Sequence, residues 1–166
     1  MVLIPSEFKT SRSLAKTLRR NIFEVRFDAA FADVIAACGD PALRPEGTWI
    51  SPAMRRAYTE LHRLGLAHSV ETYRDGELVG GVYGVALGKA FFGESMFSRA
   101  TDASKVALKA LCDELAQRDF QLIDCQMETP HLKSLGGKLW PRAQFAAALE
   151  SCAQPPDQRG PWRGRM

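Results

Sequence analysis

Ala67-His68-Ser69-Val70-Glu71-Thr72-Tyr73-Arg74-Asp75-Gly76-Glu77-Leu78-Val79-Gly80-Gly81-Val82-Tyr83-Gly84-Val85 is the stretch that decides the fold. Strand-like residues run from Ala67 to Tyr73. Asp75-Gly76 supplies the left-handed pair that a two-residue hairpin demands, and an apolar, β-branched run follows from Leu78 to Val85. A further turn at Gly88-Lys89 leads into Ala90-Phe91-Phe92-Gly93. Together these segments predict an antiparallel meander.

Helices are expected on both sides of it. Ser51-Pro52 is a capping hydroxyl followed by proline at the first helical position, and Met54, Tyr58, Leu61 and Leu64 mark the apolar side of a helix that Gly65 ends. After the meander, Val106, Leu108, Leu111 and Leu115 show helical spacing over 103–117, with Asp102 as the candidate cap. Gln121 to Gln126 then reads as a short buried strand. Meander, helix and strand in this order predict an α+β fold: an acetyltransferase-like mixed sheet flanked by helices.

Towards the N-terminus, residues 11–20 read as one helix and Phe27–Cys38 as a second, with Phe27, Phe31, Val34 and Cys38 on one side. Asp40-Pro41 to Gly47 reads as a loop. These features predict a small basic helical lobe over 1–45 and a main domain over 46–152 whose last helix starts near Pro141. A disordered Pro-, Gly- and Arg-rich tail over 153–166 is expected to follow.

The chain has 166 residues, enough for one sizeable core, and its 46% hydrophobic content is ordinary for a globular protein. No apolar run approaches the ~20 residues that span a bilayer, and the first residues lack a secretory pattern, so a soluble cytoplasmic monomer is expected. Cys38, Cys112, Cys125 and Cys152 stand far apart, as do His62, His68 and His131, which indicates neither a disulfide framework nor a metal site. The net charge of +3 is modest, but Arg12, Lys16, Arg19 and Arg20 follow the i, i+4, i+7, i+8 pattern of one helix face. That stripe is either a solvated face or a phosphate-binding surface.

Phe91-Phe92-Gly93-Glu94-Ser95-Met96-Phe97-Ser98 sets a carboxylate and two hydroxyls among large apolar groups. Core packing does not select Glu94 there, and burial beside Phe92 and Met96 is expected to raise its pKa. The bland alternative is an exposed strand-end residue. In Ile123-Asp124-Cys125-Gln126, strand alternation puts Asp124 and Gln126 on one face, as a reactive pair or as a strand-end network that orders the following loop. His131-Leu132-Lys133-Ser134-Leu135-Gly136-Gly137 reads as a loop whose glycines permit close backbone approach.

Several segments occur in the order expected of one family. They are Gly47-Thr48-Trp49-Ile50, Leu61-His62 with Gly65 and Ala67 to Glu71, Leu78 to Gly81 with Tyr83-Gly84, Phe92 to Ser98, Ala103-Ser104-Lys105, Leu122 to Gln126, and His131-Leu132 with Ser134-Leu135-Gly136. In these motifs the chain resembles the leucyl/phenylalanyl-tRNA-protein transferases, and Ser11-Arg12-Ser13 is similar to that family's earlier basic helix.

The resemblance implies an acetyltransferase-like (GNAT-like) domain that uses aminoacyl-tRNA in place of coenzyme A. Such a domain moves leucine or phenylalanine to proteins beginning with arginine or lysine and marks them for N-degron proteolysis, without a cofactor or metal. It implies Asp124 and Gln126 as the catalytic pair and Glu94 as a holder of the amine and the basic acceptor residue. Trp49 becomes a stacking surface for the terminal adenine, and Phe91, Phe92, Met96, Ile123 and Ser98 become substrate-pocket residues. The stripe from Arg12 through Lys16 and Arg19 to Arg20 becomes the tRNA contact.

By the same resemblance, Leu3-Ile4-Pro5 falls where family members are already well under way. That implies a short member without the Phe-Pro-Trp and Trp-Ser-Pro-Asp-Pro-Arg type segments, which help build the adenosine side of the pocket. Val82 stands where a larger residue is common, which implies a roomier donor pocket. Two other readings compete: a non-catalytic relative that binds aminoacyl-tRNA or a basic N-terminus, and an N-acyltransferase using coenzyme A. Against the second, Arg99-Ala100-Thr101-Asp102-Ala103 offers no glycine-rich pyrophosphate loop.

Overall fold

Asp75 and Gly76 both adopt positive φ, 55° and 81°, and turn the chain between strands β3 (Ala67–Arg74) and β4 (Glu77–Leu87). The two residues Gly88-Lys89 return it into β5 (Ala90–Ser98), which completes the expected antiparallel meander. In the computed structural model, which describes residues 1–162, this meander is the centre of a six-stranded sheet. The order is β1-β6-β5-β4-β3-β2, where β1 is Val2–Leu3, β2 is Glu24–Phe27 and β6 is Leu122–Asp124. All neighbours pair antiparallel except β5 and β6, which run parallel.

The N-terminal residues therefore do not form a separate helical lobe, because they supply both edges of the sheet. Val2 and Leu3 pair with Asp124 and Ile123, and Glu24 to Phe27 pair with Tyr73 to Val70. The expected helix over Phe27–Cys38 is shorter: Phe27 is the last residue of β2, and α2 spans Phe31–Cys38. Asp28 causes the break. At φ 52° it turns its carboxylate back onto the His68 ring, at 2.8 Å, and the Ser69 amide, at 2.9 Å.

Helix α1 (Arg12–Arg20) begins where Ser11 Oγ accepts from the Leu14 amide, and it ends on Asn21 at φ 48°. Leu14 is fully buried, worth about 2 kcal/mol of transferred apolar surface, while Arg12, Lys16, Arg19 and Arg20 all stay exposed. On the same side of the sheet lies α4 (Ala103–Gln117), whose Val106, Leu108, Leu111 and Leu115 pack with Val70, Val82, Phe91 and Ile123. Asp102 does not cap α4. It accepts instead from Thr17 Oγ1 at 3.0 Å and Lys105 Nζ at 2.8 Å, which ties α1 to α4.

The opposite face is covered by α2 and by α3 (Pro52–Arg63), around Tyr83, Phe31 and Ile50. Ser51 Oγ caps α3 as its sequence predicts, accepting from the Met54 amide. A short helix α5 (Pro130–Ser134), capped by Thr129, stands where a loop is expected. Helix α6 (Arg142–Ala153) packs Phe145 and Leu149 with Phe92, Leu122 and Ala90.

Residues 154–162 are not the disordered segment that composition suggests; 163–166 lie outside the described residues. Asp157 accepts from the Gly88 amide, Gln158 donates to the Arg118 carbonyl, and the fully buried Trp162 is hydrogen-bonded through its amide to Asp28. One aromatic ring offsets the polar and Pro/Gly content, because burying it removes a large apolar area from water.

Candidate active site

Strand β6 is only three residues long, and its parallel pairing with β5 stops at Phe92 and Asp124. Beyond that point β5 runs on to Ser98 with no neighbouring strand on this side among the described residues, so the sheet opens between its strands. A cavity of ≈ 760 Å³ fills the opening. Val82, Met96, Leu108, Leu111, Ile123 and Leu132 form its apolar wall, and Trp49, Glu94 and Gln126 its polar or aromatic rim. A concave apolar space with a few convergent polar groups is the usual form of a small-molecule site.

Glu94 enters this cavity because of a β-bulge. Tyr83 pairs with Ser95 but Gly84 pairs with Gly93, so Glu94 is the extra residue of β5 and has no cross-strand partner. Burial raises its carboxyl pKa above the usual range, the Asp124 charge raises it further, and the Tyr58 hydroxyl against it acts the other way. In the sequence, Tyr58 marks only the apolar side of α3. Its hydroxyl on that side is the available signal for a site role.

Asp124 ends β6, and Gln126 lies beyond the strand at φ 54°, so the two are not alternate residues of one strand. Their link is a hydrogen bond from the Gln126 backbone amide to Asp124 Oδ1, at 2.9 Å. Strand alternation misses this because the chain must leave the sheet to pass the cavity. Asp124 faces a second cavity, of ≈ 330 Å³, with Trp140, Arg142 and Phe145, and Gln126 lines both cavities.

Trp49 is half-exposed on the loop before α3, edge-on to Tyr58 at 6.2 Å between centroids. The same loop contributes Arg44, which donates to the Met96 carbonyl at 2.8 Å and so satisfies the open edge of β5. Of the candidate pocket residues, Met96 and Ile123 line the cavity, and three others do not. Phe91 is fully buried beneath α4, Phe92 packs with α6, and Ser98 donates to the Ala100 carbonyl while accepting from the Ser104 amide. Alternation sends Phe92 to the face opposite the cavity, whereas Phe91 shares the face of Ile123 and Val82 but is held in the core beneath α4 against Trp162. Ser98 instead fastens the start of α4.

Cys125 also stands in the cavity wall, but burial pushes its thiol up to about 12, so it is neutral near pH 7 and a poor nucleophile. Among the described residues, no three His, Cys, Asp or Glu side chains converge where one metal ion would sit. No described helix is long and apolar enough to cross a membrane.

Residues 2–150 match the family model of leucyl/phenylalanyl-tRNA protein transferase. The chain belongs to the leucyl/phenylalanyl-tRNA protein transferase family. A family member from Aromatoleum aromaticum is 59% identical over 165 residues, which cover 99% of this chain and 68% of that protein. Another, from Nitrosomonas eutropha, is 56% identical over 98% of this chain and 69% of its own length. The leucyl/phenylalanyl-tRNA protein transferases are thus matched over almost the whole chain, and the chain is an aminoacyltransferase by family.

Solved structures confirm the expected acetyltransferase-like fold. A ribosomal-protein-alanine N-acetyltransferase from Brucella melitensis biovar Abortus superposes with a TM-score of 0.50 at 14% identity, covering 72% of this chain and 94% of that one. An aminoglycoside acetyltransferase from a soil metagenomic sample gives 0.52 at 10% identity, covering 82% and 90%. At such identities the likeness is one of fold alone.

Proposed function

We propose that this chain moves leucine or phenylalanine from aminoacyl-tRNA to the N-terminal amine of proteins beginning with arginine or lysine, marking them for degradation in the cytoplasm, and that it acts as a monomer. The observation that carries the reading is the position of Gln126 between two cavities, its backbone held by Asp124, with Glu94 on the rim of the larger one. The larger cavity takes the aminoacyl ester. Its apolar wall suits a leucyl or phenylalanyl side chain, and Trp49 offers the terminal adenine a stacking face.

The acceptor amine approaches from the side of Asp124. Its nitrogen attacks the ester carbonyl, a C–N bond forms, the ester C–O bond breaks, and the amine proton ends on the departing ribose oxygen. The ester is already activated and the α-amine has a reference pKa near ~8, so holding the two in contact supplies much of the acceleration. The Gln126 side-chain amide orients the amine, while the Asp124 and Glu94 carboxylates give a cationic N-terminal residue its charge complement. The exposed Arg12, Lys16, Arg19 and Arg20 face the tRNA phosphates.

Coenzyme A fits less well. The Ser104 amide at the start of α4 is taken by Ser98, where a pyrophosphate needs free amides. The test is transfer of radiolabel from leucyl-, phenylalanyl- and methionyl-tRNA to a protein beginning with arginine, against the same protein beginning with alanine. Label on the arginine acceptor alone supports the reading. Tight tRNA binding without transfer would make the chain a binding relative and sink the catalytic proposal.

A further inference from the structure

We propose that Trp162 is a positioning residue for Glu94, acting through Phe91 and the Gly84–Gly93 pair to hold the bulge that presents the carboxylate to the cavity. The proposal rests on the role given to Glu94 above.

His68 of β3, Gly84 of β4 and Gly93 of β5 are register partners and form one rung across the sheet, and the bulged Glu94 follows Gly93 directly. Gly84 has no side chain, and the Phe91 ring occupies the space. A Cβ built on Gly84 would lie 2.5 and 2.7 Å from Phe91 Cε1 and Cζ. Phe91 is in turn held by Trp162, whose ring centroid is 5.9 Å away. Trp162 lies flat on His68 at 3.9 Å and an interplanar angle of 8°.

The stack is anchored at its far end. Asp28 Oδ2 accepts from the Trp162 amide at 2.6 Å and contacts the His68 ring at 2.8 Å, and all three side chains are buried. Asp28, His68, Trp162 and Phe91 thus press in sequence on the rung at which β5 gains its extra residue. Emptying the Trp162 site gives Phe91 room to rotate off Gly84, and a close-packed interior transmits such a shift to the next layer.

Tyr58 from α3, Tyr83 from β4 and Asp124 from β6 act on the Glu94 carboxyl, and Arg44 and Glu46 line the same cavity. The Tyr58 and Tyr83 rings pack with Trp49, Phe31 and each other, whereas Trp162 packs with His68, Phe91 and Phe120. A loosened bulge therefore changes the setting of the carboxylate without changing its charged neighbours. Water then reaches Glu94 more easily and its raised pKa falls back towards the ordinary range.

The experiment compares Trp162→Phe, Trp162→Leu, Phe91→Leu and the Trp162→Leu/Phe91→Leu double variant in the full chain, each assayed below its own unfolding transition. The expected result is a loss of kcat by roughly 10- to 100-fold in Trp162→Leu, the size a ~1 Å misplacement carries, with KM for the charged tRNA unchanged. Trp162→Phe recovers part of the loss, the double variant is no worse than either single one, and the acid limb of the kcat–pH profile moves to lower pH.

Lowered melting temperatures with kcat, KM and pH profile unmoved would make Trp162 a core residue only and overturn the proposal. Glu94→Gln separates the two ideas. If it lowers kcat and the Trp162 variants do not, the relay fails alone; if it leaves kcat unchanged, the role of Glu94 fails and the relay with it.

Discussion

The Gln126 backbone amide donates to Asp124 Oδ1 at 2.9 Å, so the residue that separates the two cavities is held by the residue that closes the strand. This bond lets a geometric role for Asp124 be told from an electrostatic one. Asparagine keeps an oxygen that accepts from an amide two residues on, but it carries no charge. Asp124→Asn is therefore expected to retain tRNA affinity and melting temperature while losing turnover by roughly 10- to 100-fold, because the cationic acceptor residue loses its charge complement and its amine is held less well against the ester. Asp124→Ala should lose turnover by at least as much. Full turnover in the asparagine variant would reduce Asp124 to a turn former.

What is legible in the sequence and what is not follows the range of the interactions. The β3–β4 hairpin is written in Asp75-Gly76 and the start of α3 in Ser51-Pro52, because turn and cap chemistry act over two to four residues. Met96 and Ile123 stand in the cavity, but Phe91 and Phe92 do not: Phe92 alternates to the opposite face, and Phe91, on the same face as Ile123, is taken up by core packing with Trp162, a contact from far along the chain. Nothing local marks Val2–Leu3 as an edge strand. Its partner, β6, begins at Leu122, far along the chain, and a two-residue strand has no alternation to read. Trp162 is hidden by the composition of its surroundings; an aromatic residue in a polar, proline-rich segment is the signal that the segment docks.

Glu94 carries a raised carboxyl pKa, chiefly from burial, and this fixes the sign of a stability effect. Between the unfolded pKa and the higher folded one, the native state binds more protons than the unfolded state. Stability from this group is therefore full below the unfolded pKa and is lost as pH rises through the folded one. Glu94→Gln removes that dependence. The variant should melt higher relative to the parent at about pH 8 than at about pH 4, while transferring more slowly. Thermal unfolding across this range checks it, and a parent–variant difference independent of pH would mean that burial does not perturb the carboxyl.

Trp49 is 51% exposed, so replacing it should cost the fold little. If its ring stacks on the terminal adenine, Trp49→Ala loses about 1 to 3 kcal/mol of donor binding, roughly a 5- to 150-fold rise in KM for charged tRNA. Trp49→Phe should recover much of it. Steady-state kinetics at fixed acceptor distinguishes this from a rim residue that never meets the donor, for which KM would stay put in both variants.

The stripe on α1 is held away from the core by a single buried residue, Leu14, so its four cations are free to vary without unfolding the helix. Changing Arg12, Lys16, Arg19 and Arg20 together to glutamate should weaken tRNA binding most at low salt. It should also flatten the slope of log affinity against log salt, by about 0.7 to 0.9 for each phosphate that the stripe no longer neutralises. Binding titrations over a salt series measure the slope directly. An unchanged slope would return the stripe to a solvated helix face.

Val82 pairs with Met96 across β4 and β5, and both side chains line the larger cavity. Replacing Val82 with methionine lengthens the side chain in a space that the donor side chain would occupy. A one-methylene difference in an apolar pocket is worth about 1 to 3 kcal/mol between competing substrates. Phenylalanine needs the wider space, so Val82→Met is expected to lower kcat/KM for phenylalanyl-tRNA more than for leucyl-tRNA. Competition between the two labelled donors in one reaction reads the ratio without separate rate constants. If the ratio does not move, the donor side chain lies elsewhere in the cavity, against Leu108, Leu111 and Leu132 on the wall formed by α4 and α5.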